Sequence, residues 1–368
     1  MTATLADHRI ARIDSHVLRD HYPRTVGRNA RLGSHGAGGS VPVAVVHTDT
    51  GATGWGIAAG DLQGTQGLVG RRVDDLLDPA VGTIEPQALP LDFALHDLAG
   101  QILGLPVHQL LGGRGETVVP CYDGAIYFDD LDPADAPRGL DAVLANCRAD
   151  HDLGFRAFKL KIGRGHRWMD ADAGLRRDIE VTRAVRAAYP EAEILVDAND
   201  GYTGESFLGY LDEVADCGLF WVEEPFQETR ADLRRLRAEL TRRGSGTLIA
   251  DGEAAPDVPF LLHLSEEGLL DVLLMDVMSY GISRWRRVMP VLEEVGVRAS
   301  PHAWGQPLKT LYAAQLAAGL GNVLVVEGVP GHTEGVDGSA YQLLDGMLHV
   351  PDAPGFGLPL PATTAPSG

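Results

Sequence analysis

Short apolar runs that end in a charged residue recur along this chain at near-constant intervals, and that recurrence limits the possible folds more than any other feature. The runs are Phe155–Lys161, Ile194–Asp197, Leu219–Glu223, Leu248–Glu253, Val272–Asp276, Val297–His302 and Val323–Glu327. From Lys161 the steps between their charged ends are 36, 26, 30, 23, 26 and 25 residues. A strand, a loop, a helix and a return loop occupy about that much chain. A charge at the carboxyl end of each strand is what a β/α barrel enzyme requires, because its active site is built at that face.

At 368 residues the chain suits a barrel plus a second domain. No apolar run is long enough to cross a bilayer. The opening residues, Met1 to Arg9, have no apolar core of the signal-peptide kind. Cysteine occurs as Cys121, Cys147 and Cys217, too far apart in sequence for a disulfide framework or a CxxC metal knuckle, so a cytoplasmic setting is expected. A net charge of −20 argues against nucleic acid and anionic membranes as partners.

Residues 9–22 and 41–59 read as strands of a meander, with Asp49-Thr50-Gly51 as a turn. Between them, Arg24 to Ser40 is glycine-rich, locally basic and aperiodic. It reads either as a surface hairpin loop or as a lid whose Arg24, Arg28 and His35 meet an anionic substrate. Apolar spacing predicts a helix across 91–111, a first barrel strand near Val118–Tyr122, and helices over 133–152, 168–189, 205–216, 228–242, 257–267, 282–295 and 306–319. A short β-like piece at Leu348–Val350 and a weakly ordered Pro359–Gly368 tail close the chain.

The charged ends sort by chemistry. Asp197, Glu223 and Glu253 end successive strands, and neighbouring strands lie about 4.7–4.9 Å apart, so three carboxylates can converge on one cation. All-oxygen donors suit a hard ion, Mg²⁺ above all, with open positions for water or substrate. The Ala250-Asp251-Gly252-Glu253 end offers Asp251 as well as Glu253, and the spacing favours Glu253. Lys159 and Lys161, two apart, face the same side of their strand. Their mutual repulsion and partial burial should lower both pKa values and leave one neutral as a base. Asp276 and His302 end the next two strands, and an aspartate beside a histidine fixes its tautomer and raises its basicity. Glu327, on the last strand, stands where it can donate to or accept from a substrate carboxylate. A metal-bound carboxylic acid has an acidified α-proton, and the metal stabilises the ene-diolate left by its removal.

Taken in order, these residues resemble the enolase superfamily, specifically its mandelate racemase-like subgroup, from about residue 10 to about 355. The resemblance includes Asp97-Leu98-Ala99-Gly100, Gly104-Leu105-Pro106-Val107, Leu110-Leu111-Gly112-Gly113, Lys159-x-Lys161, Asp197-Ala198-Asn199, Trp221-Val222-Glu223-Glu224-Pro225, Gly252-Glu253, Asp276, His302 and Glu327. It implies an α/β fold: a modified (β/α)7β TIM-type barrel at 116–335, an N-terminal α+β capping domain at 1–115 with a specificity lid at about 24–40, and a C-terminal segment, 336–368, packing back on the cap. It implies Mg²⁺ held by Asp197, Glu223 and Glu253. Lys161, tuned by Lys159, is the implied base on one face, and His302 with Asp276 the acid/base on the other. Glu327 is implied to hydrogen-bond a substrate carboxylate oxygen. Candidate substrate contacts are Asn199, Arg24, Arg28, His35 and Trp304. Asp276 stands where the muconate-cycloisomerase-like subgroup has a lysine, which argues against cycloisomerase or dipeptide epimerase activity. The implied function is dehydration of a sugar acid (an aldonate or aldarate) to a 2-keto-3-deoxy acid. A racemase or epimerase of a 2-hydroxy acid is the alternative, and a non-catalytic binding protein the reading from another class. A small carboxylate is the expected partner and a homo-oligomer the expected assembly.

Overall fold

A computed structural model describes residues 4–253 and 255–364. Three antiparallel strands open the chain: β1 (Ile10–His21), β2 (Ser40–Thr48) and β3 (Thr53–Ile57). Strand β2 is buried on both faces. Val41, Val43 and Val45 join the main core, and Ala44 and Val46 join a separate core under the first helix. A small hairpin follows, β4 (Leu77–Asp78) with β5 (Gly82–Thr83), then α1 (Asp92–Leu103) and α2 (Val107–Leu110). Helix α1 lies hard against β3 because position 54 is glycine: a Cβ there would meet the Leu98 nitrogen at 2.3 Å. Gly104, in the left-handed region at φ 67°, ends the helix.

Eight parallel strands then alternate with helices. They are β6 (Val118–Ile126), α3 (Leu140–Asp152), β7 (Ala157–Lys161), α4 (Ala171–Ala188), β8 (Glu193–Asp197), α5 (Gly204–Glu213), β9 (Leu219–Glu223), α6 (Arg230–Arg242), β10 (Leu248–Asp251), α7 (Val258–Glu266), β11 (Val272–Leu273), α8 (Val277–Tyr280), α9 (Ile282–Glu294), β12 (Arg298–Ala299), α10 (Pro307–Leu320) and β13 (Val326–Gly328). Strand β13 pairs with β6, and a bridge from Ala299 to Val323 joins the β12 and β13 segments, so the ring closes as a (β/α)7β barrel. The register sets the charges side by side: Lys161 pairs with Asp197, and Asp197 with Glu223. Below them Tyr122, Leu195, Trp221, Ala250, Val272, Leu274 and Val325 fill the lumen as an apolar floor.

The last segments tie the two parts together. Strand β14 (His332–Thr333) pairs with β1, and the hairpin of β15 (Gln342–Leu344) and β16 (Met347–His349) extends the sheet from the foot of β6. Beyond it, the Phe356 amide donates to Asp97 of α1, and the Trp55 indole donates to the Leu358 carbonyl.

Three elements differ from the sequence reading. The helix expected across 91–111 is broken at Gly104-Leu105-Pro106 into α1 and α2. The helix expected from residue 133 begins at Leu140, because Pro137 disfavours helical backbone before it and Gly139 enters at φ 69°. The tail is ordered further than expected: Pro361 is buried and Ala362–Thr364 form a 3₁₀ turn, while 365–368 lie outside the described residues. Among the described residues no helix is long and apolar enough to cross a membrane.

Candidate active site

The carboxyl ends of the barrel strands bring Lys159, Lys161, Asp197, Glu223, Glu253, Asp276, His302 and Glu327 into one connected set of charges. Lys159 is the hub. Its buried ammonium lies 2.8 Å from Glu327 Oε1, 2.9 Å from Glu223 Oε1 and 3.5 Å from Asp197 Oδ2. Lys161 is paired with Asp197, and the Tyr127 ring stands 5.2 Å from its ammonium.

These contacts reverse the pKa expectation for the lysine pair. Burial lowers both, but Glu223 and Glu327 around Lys159, and Asp197 and Glu253 around Lys161, more than offset burial and mutual repulsion, so both lie above the ordinary lysine value. The sequence shows the two lysines as neighbours on one strand and cannot show how closely four carboxylates of other strands surround them.

The carboxylates divide into two groups. One oxygen from each of Asp197, Glu224 and Glu253 lies within 4.8 Å of the others. Glu253 Oε2 is buried there without a hydrogen-bond partner. Three convergent all-oxygen ligands with an orphaned buried oxygen fit a hard divalent cation. Glu223 stands beside this group, accepting from Lys159 and, at 3.1 Å, from the Trp221 indole. Glu224 was not singled out from the sequence. Strand alternation turns it away from the lumen, but its backbone sits at φ 38° and swings the carboxylate back, where it accepts the Glu253 amide at 3.0 Å. The doubled glutamate before Pro225 is the signal that could have marked it. Asp251 is not one of the three convergent carboxylates, but it lines the same cavity of about 450 Å³ as Glu224 and Glu253, together with Asp200, Glu228 and Asn199. Burial, then the charges of Glu228 and Asp200, hold its carboxyl well above the usual range.

Across the lumen, Asp276 Oδ1 caps α8 through the amides of Met278 and Ser279, at 2.9 and 2.8 Å. That fixes Oδ2, which meets His302 Nδ1 at 3.1 Å and the ammonium of Lys309 at 2.7 Å. Lys309, on α10, is a further charged member that sequence spacing did not reveal. His302 Nε2 faces Glu253 Oε1 at 3.3 Å. Burial lowers the imidazole pKa, but Glu253, Glu327 and Asp276 outweigh it and leave it raised. Glu327 Oε2 accepts the amides of Ala303 and Trp304, at 2.7 and 2.9 Å. Burial opposes its ionisation, yet Lys159 and His302 bring it down to about 2, so here it is an acceptor only. Gly124 makes room for it, since a Cβ would lie 2.6 Å from Oε1.

The hairpin over the mouth uses its arginines differently from the sequence expectation. Arg24 forms a bidentate pair with buried Asp150 of α3, and Arg28 pairs with Asp132 at 2.6 Å while lying over the Trp168 ring. Arg31 holds the Asn199 carbonyl at 2.7 Å and Asp200 at 3.1 Å. These side chains dock the hairpin on the barrel, so Arg24 and Arg28 are committed to aspartates. His35 stays at the mouth, against Tyr127 and Trp304. Asn199 is buried beside the carboxylate group, its Oδ1 without a partner.

A family model described as "Enolase C-terminal domain-like" matches residues 142–363, more than half of the chain. A galacturonate dehydratase from Geobacillus sp., crystallised with D-galacturonate and 5-keto-4-deoxy-D-galacturonate, is 34% identical. That alignment covers 96% of this chain and 94% of that one, with a TM-score of 0.90. A mandelate racemase/muconate lactonizing protein from Geobacillus sp. Y412MC10, solved with magnesium and tartrate, is 34% identical over 97% and 94% of the two chains, with a TM-score of 0.91. D-galactarolactone cycloisomerase of Agrobacterium fabrum is 29% identical over 73% of this chain and 70% of its own length.

Proposed function

The chain belongs to the enolase C-terminal domain-like family, and on that premise we propose that it is a Mg²⁺-dependent lyase that dehydrates an acid sugar of the galacturonate kind. One observation carries the reading: two proton-transfer groups, Lys161 on the second barrel strand and the Asp276–His302 pair across the sixth and seventh, flank a convergent carboxylate group. The likeness to a galacturonate dehydratase across nearly the whole of both chains supports the substrate class.

Asp197 and Glu253 would hold the ion with a third carboxylate, either Glu223, as expected from the sequence, or Glu224, whose oxygen converges with theirs. When bound, Mg²⁺ offsets the negative charge that gathers on the substrate carboxylate as its α-proton leaves. With Asp197 and Glu253 engaged by a cation, Lys161 loses the carboxylates that keep it charged, and Lys159 then repels it toward the neutral base. Lys161 or His302 takes the α-proton. The electron pair of that C–H bond forms the double bond to the β-carbon, and the β C–O bond breaks. His302, charged and aligned by Asp276, gives the departing hydroxide its proton, so water leaves and the enol tautomerises to a keto acid. In a uronate counted from its aldehyde end, that product is 5-keto-4-deoxy. A buried, ionised Glu327 orients Lys159 and the Ala303–Trp304 backbone. Three buried, unpaired cysteines support a cytoplasmic setting, and a homo-oligomer is the assembly proposed for it.

The test is incubation with Mg²⁺ and a panel of uronates, aldonates and aldarates, assaying α-keto-β-deoxy products. Keto product from D-galacturonate is the expected result. Exchange of the α-proton in D₂O without keto product would move the assignment to a racemase or epimerase, which uses the same two bases. Neither signal from any acid would sink the enzyme reading. Lys161→Ala and His302→Asn should each lower kcat by about 10²–10⁴-fold.

A further inference from the structure

His35 is the one hairpin side chain named from the sequence that is not consumed by docking the hairpin. Its backbone amide donates to the Val26 carbonyl at 2.9 Å, and the Val26 amide donates to Gly36 at 2.8 Å, so its position is set by a small ladder. Its ring is set by a second contact: Nδ1 lies 2.8 Å from the Gly27 carbonyl oxygen. A carbonyl can only accept, so the proton sits on Nδ1, and in the neutral ring Nε2 carries the lone pair. Gly27 cannot easily drift, because it is pressed against the barrel. A Cβ there would lie 3.0 Å from the Asp129 amide, and the adjacent Arg28 carbonyl accepts from Phe128 at 2.9 Å.

The ring stands edge-on to Tyr127 with centroids 4.7 Å apart, and Tyr127 in turn borders the Lys161 ammonium. Trp304, 6.1 Å away, closes the other side. No donor among the described residues reaches Nε2. Burial, with some help from Lys161, lowers the pKa of the ring and keeps it neutral.

We propose that His35 Nε2 accepts a hydrogen bond from a substrate hydroxyl beyond the β-carbon, and so selects polyhydroxy acids that carry a donor there. The inference rests on the dehydratase reading. The acid end of the substrate is held at the carboxylate and lysine cluster, so the hairpin meets the rest of the carbon chain. A fixed acceptor facing a deoxy or keto position is left without a donor, and that loss gives the discrimination.

The test compares kcat/KM for D-galacturonate with that for its 3-deoxy and 2-deoxy analogues, in the wild type, His35→Leu and His35→Gln. In the wild type, one analogue should fall about 10- to 100-fold below the parent. His35→Leu should lose a similar factor on the parent but not on that analogue, bringing their ratio near one. His35→Gln, which keeps an acceptor oxygen, should retain most of the discrimination. A proportional loss on parent and analogues, or no loss, would overturn the role while leaving the dehydratase reading intact. No turnover of any acid sugar by the wild type would remove both. Independently, ¹⁵N NMR of the free enzyme at pH 7, with the His35 signals identified by their loss in His35→Gln, should show a protonated Nδ1 and a bare Nε2. A protonated Nε2 would refute the proposal without any substrate.

Discussion

Each carboxylate near the lumen has a different set of neighbours, and those neighbours order their roles. The Lys159 ammonium bridges Glu223 and Asp197, at 2.9 and 3.5 Å, in the manner of a cation shared between ligands. A divalent ion competing for the same oxygens would hold Asp197, Glu223 and Glu253 directly. Glu224 would act more as a brace, since it already accepts the Glu253 amide. Removing a group that only orients a ligand typically weakens metal binding about 10- to 100-fold, and removing a ligand costs more. Mg²⁺ titration by calorimetry should therefore show losses above about 100-fold for Asp197→Asn, Glu223→Gln and Glu253→Gln, and about 10- to 100-fold for Glu224→Gln. Asp251→Asn should change affinity little, because Asp251 is outside the convergent group and its nearest charged neighbours are Glu228 and Asp200. A larger loss in Glu224→Gln than in Glu223→Gln would transfer the ligand role to Glu224. A large loss in Asp251→Asn would move the third ligand off Glu253.

Among the elements, the barrel strands were legible because each hides an apolar stretch and exposes one charged end, a pattern that survives without knowledge of partners. The Lys161, Asp197 and Glu223 register follows from it directly. What the pattern cannot carry is any contact made by a long side chain across elements. Glu224 escaped because alternation assigns it to the wrong face until a left-handed backbone turns it. Lys309 escaped because it sits on a helix, one turn in, and reaches back to Asp276. The hairpin arginines read as substrate contacts because an aperiodic basic loop looks the same whether its charges meet a ligand or an aspartate. In the fold, Arg24 reaches into the wall between β6 and α3, where Asp150 is fully buried and Asp123 lies beside it. Removing one partner of such a pair leaves an uncompensated buried charge, a loss of about 3–5 kcal/mol. Arg24→Met should lower denaturant stability by that order and loosen the hairpin, raising KM more than it lowers kcat. Asp150→Asn, which leaves the buried guanidinium unpaired, should destabilise comparably. Full stability in Arg24→Met would show that the hairpin is docked by Arg28 and Arg31 alone.

For the molecule as a whole, the join between cap and C-terminal segment runs through Asp97. It is fully buried on α1, accepts the Trp55 amide from β3 at 3.0 Å and the Phe356 amide from the C-terminal segment at 2.9 Å. Those two donors favour the carboxylate, yet burial outweighs them and raises its pKa from 3.8 to about 7. The folded state therefore binds a proton at Asp97 that the unfolded state has already released between pH 4 and 7. Stability from this group is complete below the unfolded pKa, falls as pH rises, and is lost once pH passes the folded pKa. A shift of this size corresponds to at most about 4 kcal/mol across that window. Asn at this position cannot titrate and must turn its NH₂ toward one of the two backbone donors, so Asp97→Asn should be less stable than the wild type at pH 5. The deficit should shrink steadily toward pH 8, where the wild-type carboxylate is ionised and buried. Thermal or denaturant unfolding of both proteins at half-unit pH intervals measures the difference directly, and the titrations common to both cancel. A constant offset from pH 5 to 8 would mean that Asp97 is already ionised throughout, its charge carried by the Trp55 and Phe356 amides, and that the join between cap and tail is indifferent to pH.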